Sequence, residues 1–285
     1  MHVVSYNIQF GRGLDRKNDL QRISRSIDGA DIICLQEVDV GWQRSGNVDQ
    51  PGAIAEILDE YYTVFGSSFD VDNSIKKEDG KVINRRRQHG DMILSRWPIV
   101  SSRTFNLRKT HYANKFNMQM GFVEAVIKTD TRTLRVYNYH AGYLEVEERL
   151  DQINQLVKTY QQSPLEQGAW SGKSDIDGDD WSERQETPEM PGSAIVCGDF
   201  NCPPGSSEYQ YLIDNSDLSD CWLLSDPDNL NTSTLKHEMT RDIKISGKID
   251  HIFVSLDLVD RVQRVMIDHD AEGSDHKPVH CFLDL

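Results

Sequence analysis

The chain has 285 residues, a length that suits one large domain or two small ones, either of which could bury a sizeable core. Its net charge of −15 argues against a protein that coats nucleic acid non-specifically, because such binding depends on many Lys and Arg side chains. It contains no run of eighteen apolar residues and no basic start followed by an apolar segment, so we expect a cytoplasmic protein without a membrane anchor.

Short apolar runs alternate with a few stretches of helical period, which is typical of an α/β protein. In chain order, helices are predicted at about 17–28, 52–60, 146–160 and 206–213, and strands account for most of the rest. Residues 161–192 contain Pro, Gly, Ser and eight acids without any period. We interpret this stretch as an inserted acidic loop.

Polar residues stand where the apolar runs end. Four runs, near 3–6, 32–35, 134–137 and 194–197, are followed by Asn7, Glu37, His140, and Asp199 with Asn201. Two later runs are instead preceded by polar residues, namely Asp250, and Asp275 with His276. If these two strands run antiparallel to the first four, all of these groups lie along one edge of the sheet core.

Each of these residues also has an ordinary structural interpretation, since Asp or Asn at a strand end is commonly a turn former or a cap and a histidine can be structural. Their convergence favours a site, because several carboxylates on one rim repel one another. A hard, oxygen-preferring cation removes that repulsion, and Mg²⁺ is the usual one.

Six motifs follow one another along the chain: Ser5-Tyr6-Asn7-Ile8, Leu35-Gln36-Glu37-Val38, Asn138-Tyr139-His140, Gly198-Asp199-Phe200-Asn201, Lys248-Ile249-Asp250 and Ser274-Asp275-His276-Lys277-Pro278-Val279. In this order they resemble the signatures of the endonuclease/exonuclease/phosphatase superfamily, the DNase I-like hydrolases. The resemblance implies an α/β (α+β) fold, a four-layer sandwich of two packed, mostly antiparallel mixed β-sheets flanked by helices. It implies one domain over 1–285, with the acidic insert at about 161–192 and the site at one end of the sandwich.

The resemblance also implies a divalent-metal-dependent hydrolase of phosphoester bonds, with Mg²⁺ or Mn²⁺ as its cofactor. Position by position, Glu37 is implied as the principal metal ligand, assisted by Asn7 and Asp275. Metal charge against a phosphate oxygen would stabilise the transition state of in-line attack by an activated water. No covalent enzyme intermediate is implied.

The catalytic roles carried over are those of a general base and its neighbours. Asp199 would orient and deprotonate the water, while Asn201 and His276 would hydrogen-bond the phosphoryl oxygens. Asp250 would fix the imidazole of His276. His140 resembles a histidine near the leaving-group oxygen, which makes it a candidate for the general acid or for a phosphate contact.

The substrate is expected to be a phosphoester, with nucleic acid as one candidate, so a phosphodiesterase or nuclease is the first hypothesis. The alternative is a phosphatase or phosphodiesterase of a small phosphorylated metabolite or lipid headgroup, and a more remote one is a non-catalytic binding module. No obligate protein partner is indicated. Asp91 stands where related strands often carry Asn or an apolar residue, and we interpret it as a strand cap rather than a ligand of a second metal.

Basic residues supply the candidate substrate contacts. Residues 76–115 carry eleven Lys and Arg against three acids, a net charge of +8, whereas the rest of the chain carries −23. Within this segment the Arg85-Arg86-Arg87 run precedes a strand, and by resemblance it would form a positive lip beside the site. The alternative is a loop whose arginines pair with the protein's own acids. Arg44, in the turn after Glu37, is either a further contact or a surface residue.

Two further sets of residues have plain explanations. Asp175, Asp177, Asp179, Glu183 and Glu186 have calcium-loop offsets, but glycine is misplaced, so we interpret them as a solvated loop opposite the site. The five cysteines form no CxxC pair or Cys/His cluster, which argues against zinc, and we expect buried free thiols.

Overall fold

A computed structural model describes residues 1–172, 181–183, 185–226, 232–235 and 246–285. The strands among them are β1 (His2–Asn7), β2 (Ile32–Val40), β3 (Tyr62–Asp72), β4 (Ile75–Lys76), β5 (Val82–Ile83), β6 (Arg86–Ser95), β7 (Ile99–Asn106), β8 (Gly121–Lys128), β9 (Thr133–His140), β10 (Ala194–Asp199), β11 (Ser219–Asp220), β12 (Asp250–Val254), β13 (Val262–Ile267) and β14 (Val279–Leu283). The α-helices are α1 (Leu20–Ser26), α2 (Gln50–Ile57), α3 (Val146–Glu166), α4 (Ser207–Asn215) and α5 (Cys221–Ser225). Short 3-10 helices lie at Gln9–Gly11, Gln43–Ser45 and Leu256–Arg261.

Two six-stranded sheets share one design. The first has the order β13-β14-β1-β2-β6-β3 and the second the order β11-β12-β10-β9-β8-β7. Each contains one parallel pair, β1 with β2 and β9 with β10, and every other neighbouring pair is antiparallel. The predicted mixed, mostly antiparallel sheets are therefore confirmed.

The layers follow from which face of each strand is apolar. Alternate residues such as Val3, Ile32, Val136 and Ile195 point between the sheets and form a shared core. On the outer face of the first sheet α1 and α2 cover a second apolar cluster, and α3 and α4 cover a third on the outer face of the second sheet. The predicted four-layer sandwich is confirmed, and because both sheets share one core we infer a single domain. All five cysteines are free and buried.

Every described α-helix except α3 begins at a side-chain cap. The carboxylate of Asp19 accepts from the Arg22 backbone N–H at 2.9 Å at the start of α1, and Asp49 caps α2. α2 begins two residues before the predicted start, because its proline falls in the first turn, where no N–H is needed. α5, with five residues, is too short for a helical period to reveal. No helix among the described ranges is long and apolar enough to cross a membrane.

The third helix continues beyond its predicted end. α3 runs to Glu166, six residues past 160, so the acidic insert starts later than 161. Pro164 lacks the N–H that would bond the Tyr160 carbonyl, and the buried Arg135 donates to that carbonyl instead at 2.7 Å. Since β10 begins at Ala194, the described end of the insert lies opposite the end of the sheets that Asp199 marks. Asp175, Asp177 and Asp179 lie outside the described residues.

Candidate functional site

Strand direction brings the candidate residues to one end of the sandwich. β14 runs antiparallel to β1, and β12 runs antiparallel to β10, as expected for the two later strands. The C-terminal ends of β1, β2, β9 and β10 therefore meet the N-terminal ends of β12 and β14. We call this end of the two sheets the site edge.

Asn7 joins the two sheets at the site edge. Its Nδ2 donates to Glu37 Oε1 at 3.1 Å in the first sheet and to Asp199 Oδ2 at 2.9 Å in the second. The Gln9 backbone N–H donates to Asn7 Oδ1 at 3.0 Å, and Gln9 Nε2 donates to Asp275 Oδ2 at 2.6 Å. Gln9 thus contacts two candidate metal ligands. Sequence reasoning missed it, because no recognised motif includes this residue.

The backbone is strained at several of these positions. Glu37 has φ +60° and stands in a β-bulge of β2, while Gln9 and Asn201 have φ +44° and +50°. Left-handed conformations at non-glycine residues cost roughly 1–3 kcal/mol each and concentrate at functional sites. Gly198 precedes Asp199 for a steric reason, since a Cβ there would lie 1.9 Å from the Tyr139 carbonyl oxygen.

His276 is held by two acids. Its Nδ1 lies 2.9 Å from Asp250 Oδ2, and its Nε2 lies 3.8 Å from Asp199 Oδ2. Burial opposes protonation of His276, but Asp250 and Asp199 outweigh that effect and raise its pKa well above the ordinary value. Thr234 Oγ1 accepts from the Asp250 backbone N–H at 3.2 Å, which fixes the start of β12.

His140 has a different environment. Its Nε2 lies 3.6 Å from Asp199 Oδ2 and its Nδ1 lies 4.0 Å from Asp91 Oδ1. Burial lowers the pKa of His140 to about 4, which favours a neutral imidazole. Asp91 lies within β6 and is buried, so its interpretation as a strand cap is wrong. Burial, with Glu37 and Asp199 nearby, raises the pKa of Asp91 well above the ordinary value.

The remaining acids form an excess of negative charge that suits a cation. Burial and the neighbouring Asp250 raise the pKa of Asp199 to about 7, and burial raises that of Asp275. Asp91 Oδ1 and Asp250 Oδ1 are buried without a hydrogen-bond partner among the described residues. Buried carboxylate oxygens are costly unless they are compensated, and a divalent ion bound nearby would offset part of that cost.

Two sets of atoms could hold that ion. Asp199, Asp250 and His276 have ligand atoms within 4.8 Å of one another. Asp250 and His276 already share a hydrogen bond, however, and Mg²⁺ prefers oxygen ligands to an imidazole nitrogen. Glu37, Asn7 and Asp275 offer oxygen atoms, and both acids are partly exposed, so this set fits Mg²⁺ or Mn²⁺ better.

Arg44, in the turn after the strand that carries Glu37, is held by hydrogen bonds and is not a freely mobile surface side chain. Asp39, fully buried, accepts from Arg44 Nε and Nη2 at 2.9 Å each, and His89 Nδ1 lies 2.7 Å from Asp39. Burial opposes the charged form of Arg44, but Asp39 and, to a smaller extent, Glu37 outweigh it and raise the pKa of the guanidinium. Sequence reasoning singled out neither Asp39 nor His89.

The arginine run stands farther out. β3 and β6 continue to pair with each other beyond the end of β2, as far as the pair Asp72 and Arg86. This extension and the β4–β5 hairpin project past the site edge. We call residues 68–88 the arm. Arg86 pairs with Asp70 at 2.7 Å, as the alternative interpretation expected. Among the described residues Arg85 and Arg87 have no ion pair within 4.0 Å.

Comparisons with known proteins agree with this architecture. The family model described as "Endonuclease/Exonuclease/phosphatase family" matches residues 4–276. An endonuclease/exonuclease/phosphatase structure from Beutenbergia cavernae has a TM-score of 0.69 at 18% identity, covering 100% of this chain and 71% of its own. A mannosyl-6-phosphatase from Bacteroides thetaiotaomicron has a TM-score of 0.66 at 18% identity, covering 100% of both chains. A 3′ phosphatase from Neisseria, bound to a product DNA hairpin, has 0.62 at 16% identity and 100% of both chains. No curated protein matches the chain.

Proposed function

The chain belongs to the Endonuclease/Exonuclease/phosphatase family, hydrolases of phosphoester bonds, and from this premise we propose that it is a phosphodiesterase or nuclease that requires Mg²⁺ or Mn²⁺. The observation that carries the proposal is the excess of acids joined at the site edge, where Asn7 Nδ2 donates to Glu37 and Asp199 and Gln9 Nε2 donates to Asp275. Together with the family match, that excess supports a metal-dependent hydrolase over a binding module.

In this proposal Glu37, Asn7 and Asp275 hold the cation, whose charge stabilises a phosphate oxygen when it is bound. Gln9 keeps Asn7 and Asp275 in place through its two hydrogen bonds. Asn7 also donates to Asp199, so the ligand set and the base are joined by one side chain.

The proton transfers are assigned to groups on the second sheet. Asp199, whose pKa burial raises to about 7, accepts the proton of the attacking water. His276, kept protonated by Asp250, donates to a phosphoryl oxygen, and Asn201 donates to another. His140 contacts the phosphate as a neutral imidazole.

The first prediction concerns the catalytic residues. Glu37→Ala, Asp199→Ala and His276→Ala should each lower kcat/KM at least about a hundredfold, as expected when a transition-state contact is removed. Glu60→Ala, which changes an exposed acid far from the site edge, is the control and should leave the rate unchanged. Full activity in excess EDTA, or an Asp199→Ala variant as fast as the parent, would exclude the proposal.

One panel of hydrolysis assays with Mg²⁺ or Mn²⁺ distinguishes the candidate substrate classes. Its members are duplex DNA, single-stranded RNA, bis-p-nitrophenyl phosphate and phosphomonoesters. Turnover of the diesters supports the first hypothesis. Turnover of monoesters alone supports a phosphatase of small metabolites or lipid headgroups, an alternative that the similarity to a mannosyl-6-phosphatase keeps open. No turnover of any member supports the binding module. A cytoplasmic location stays a prediction, in keeping with five free cysteines.

A further inference from the structure

The guanidinium of Arg44 is held more rigidly than a surface arginine. It lies 4.5 Å from the ring centroid of Phe10 and 4.8 Å from that of Trp42. The indole is itself fixed, because Trp42 Nε1 donates to the Gln88 carbonyl at 2.7 Å. Gln50 Nε2 donates to the Phe10 carbonyl at 2.7 Å. The anchored indole of Trp42, the ring of Phe10 on a hydrogen-bonded backbone and one buried carboxylate thus define the direction in which Arg44 points.

The anchor leaves part of the guanidinium available. Asp39 takes Nε and Nη2, and its oxygens also contact Ser45 Oγ at 3.0 Å and His89 at 2.7 Å, so its hydrogen-bonding capacity is largely filled. Among the described residues Arg44 Nη1 has no hydrogen-bond or ion-pair partner. The Arg44 side chain is 38% exposed while that of Asp39 is 0% exposed. One end is therefore buried and fixed, and the other faces solvent.

The Nη1 end of Arg44 lies at the site edge. Arg44 follows the C-terminal end of β2 and Phe10 follows that of β1, so both stand at the site edge. The Arg44 anchor, Asp39, stands two residues after Glu37 on β2, beyond the bulge that contains Glu37. The free end of Arg44 is therefore offset along the site edge from the metal ligand, beside the reacting phosphoester rather than on it.

We propose that Arg44 binds a second phosphate of the substrate, adjacent to the phosphoester that is cleaved, through Nη1. The inference rests on the proposed function and narrows its substrate class to molecules with two neighbouring phosphates. Such a pair occurs along a nucleic-acid backbone and in small bisphosphates. A guanidinium suits this task because its planar donors form charge-assisted hydrogen bonds with phosphate oxygens, and preorganisation lowers the entropy lost on binding.

The test uses two pairs of ligands that differ by one phosphate, titrated calorimetrically with Mg²⁺ present: adenosine 3′,5′-bisphosphate against adenosine 5′-monophosphate, and fructose 1,6-bisphosphate against fructose 6-phosphate. In the parent, one bisphosphate should bind at least about tenfold more tightly than its monophosphate, the size of one charge-assisted hydrogen bond. The pair that shows this preference identifies the source of the second phosphate. Arg44→Met should abolish the preference.

The matched control is Arg96→Met. Arg96 also lies 4.8 Å from an aromatic ring, that of Tyr61, and also pairs with an acid, Glu60 at 3.0 Å, but it follows the end of β6 far from the site edge. It should keep the parent's preference. Arg44→Lys keeps the positive charge but lacks the planar set of guanidinium donors. It should lose most of the preference for the bisphosphate, and it serves as the test if Arg44→Met does not fold.

Two results would overturn the inference: equal binding of both members of each pair by the parent, or an unchanged preference in a folded Arg44→Met or Arg44→Lys variant. The proposed function fails separately if the parent hydrolyses none of duplex DNA, single-stranded RNA and bis-p-nitrophenyl phosphate. The calorimetric comparison is independent of that result, because it requires no turnover.

Discussion

At the scale of single residues, a buried ion network supports the site from behind. Asp220, at 3% exposure, accepts from Lys248 Nζ at 3.1 Å and lies 3.1 Å from His251 Nδ1. His251 Nε2 in turn lies 3.0 Å from the Cys202 carbonyl. The network therefore joins the loop after Asp199 to the strand that begins at Asp250. Burial opposes ionisation of Asp220, but Lys248 and His251 outweigh it and hold its pKa below the ordinary value.

This network predicts an acid-sensitive contribution to stability. Because the folded-state pKa of Asp220 is below the unfolded value of about 3.9, its contribution is complete above that pH and is lost as the pH falls below it. Asp220→Asn should cost about 3–5 kcal/mol at pH 7, since Lys248 is left buried without a carboxylate partner. Urea unfolding should show the difference from the parent shrinking below about pH 4.

The control for this prediction is Asp214→Asn, which removes an exposed acid from α4. It should shift the free energy of unfolding by less than about 0.5 kcal/mol at either pH. A difference between Asp220→Asn and the parent that does not depend on pH would show that the carboxylate is not the stabilising group.

At the scale of elements, the end of α3 depends on a contact from β9. Arg135 is 2% exposed and donates to the carbonyls of Tyr160 at 2.7 Å and Gly192 at 3.0 Å. The Tyr160 carbonyl is the one that Pro164 deprives of its helical partner. One arginine thus allows the helix to pass a proline and ties its last turns to the second sheet.

This arrangement predicts coupling between two substitutions. Arg135→Met should lower the free energy of unfolding by at least about 2 kcal/mol, because buried carbonyls lose a charged donor. Pro164→Ala restores an N–H that can bond the Tyr160 carbonyl, so the double variant should be more stable than the sum of the single effects predicts. Urea unfolding of the four proteins gives this interaction free energy. Strict additivity would contradict the assignment of the contact.

At the scale of the whole molecule, basic charge collects on one side of the site edge. The arm carries Arg85-Arg86-Arg87, and residues 107–120 join β7 to β8, whose Gly121 pairs with His140. β3 contacts β7 and β8, so the arm and this loop stand on the same side. The loop adds Arg108, Lys109 and Lys115, although Arg108 pairs with Asp151 at 3.6 Å and Lys115 pairs with Glu145. A positive surface of this kind beside an acidic site would concentrate extended anions.

The arm therefore predicts a salt-dependent effect. Replacing Arg85, Arg86 and Arg87 with glutamine should raise KM for an extended anionic substrate and flatten its salt dependence between about 50 and 200 mM. A small neutral-tailed phosphodiester should change much less. The pairing of Arg86 with Asp70 reduces what this residue can contribute, so the effect should come mainly from its two neighbours.

The matched control removes three positive charges at the opposite end of the sandwich by replacing Arg25, Lys128 and Arg261 with glutamine. Both triple variants change the net charge equally, so a loss confined to the arm variant separates a local contact from the overall field. Equal kinetics of the arm variant and the parent on long RNA or DNA would remove the positive lip and favour a compact substrate.

The sequence by itself indicated the site edge, while the layers were implied by the resemblance of its motifs to a known family. Short apolar runs that end at Asn7 or before Glu37, or that begin at Asp250, show at which end of each strand the polar residues stand. Because a polar residue at a strand end is visible without any knowledge of neighbouring strands, the set of candidate residues could be read from the chain.

Tertiary structure alone decided what depends on contacts between distant segments. The passage of α3 through Pro164, the burial of Asp91 beside His140 and the anchoring of Arg44 by Asp39 and two rings have no local signal. Gln9 gains its role only because the chain returns 266 residues later with Asp275. Such pairings are fixed by the packing of the whole fold, which overrides what short segments prefer.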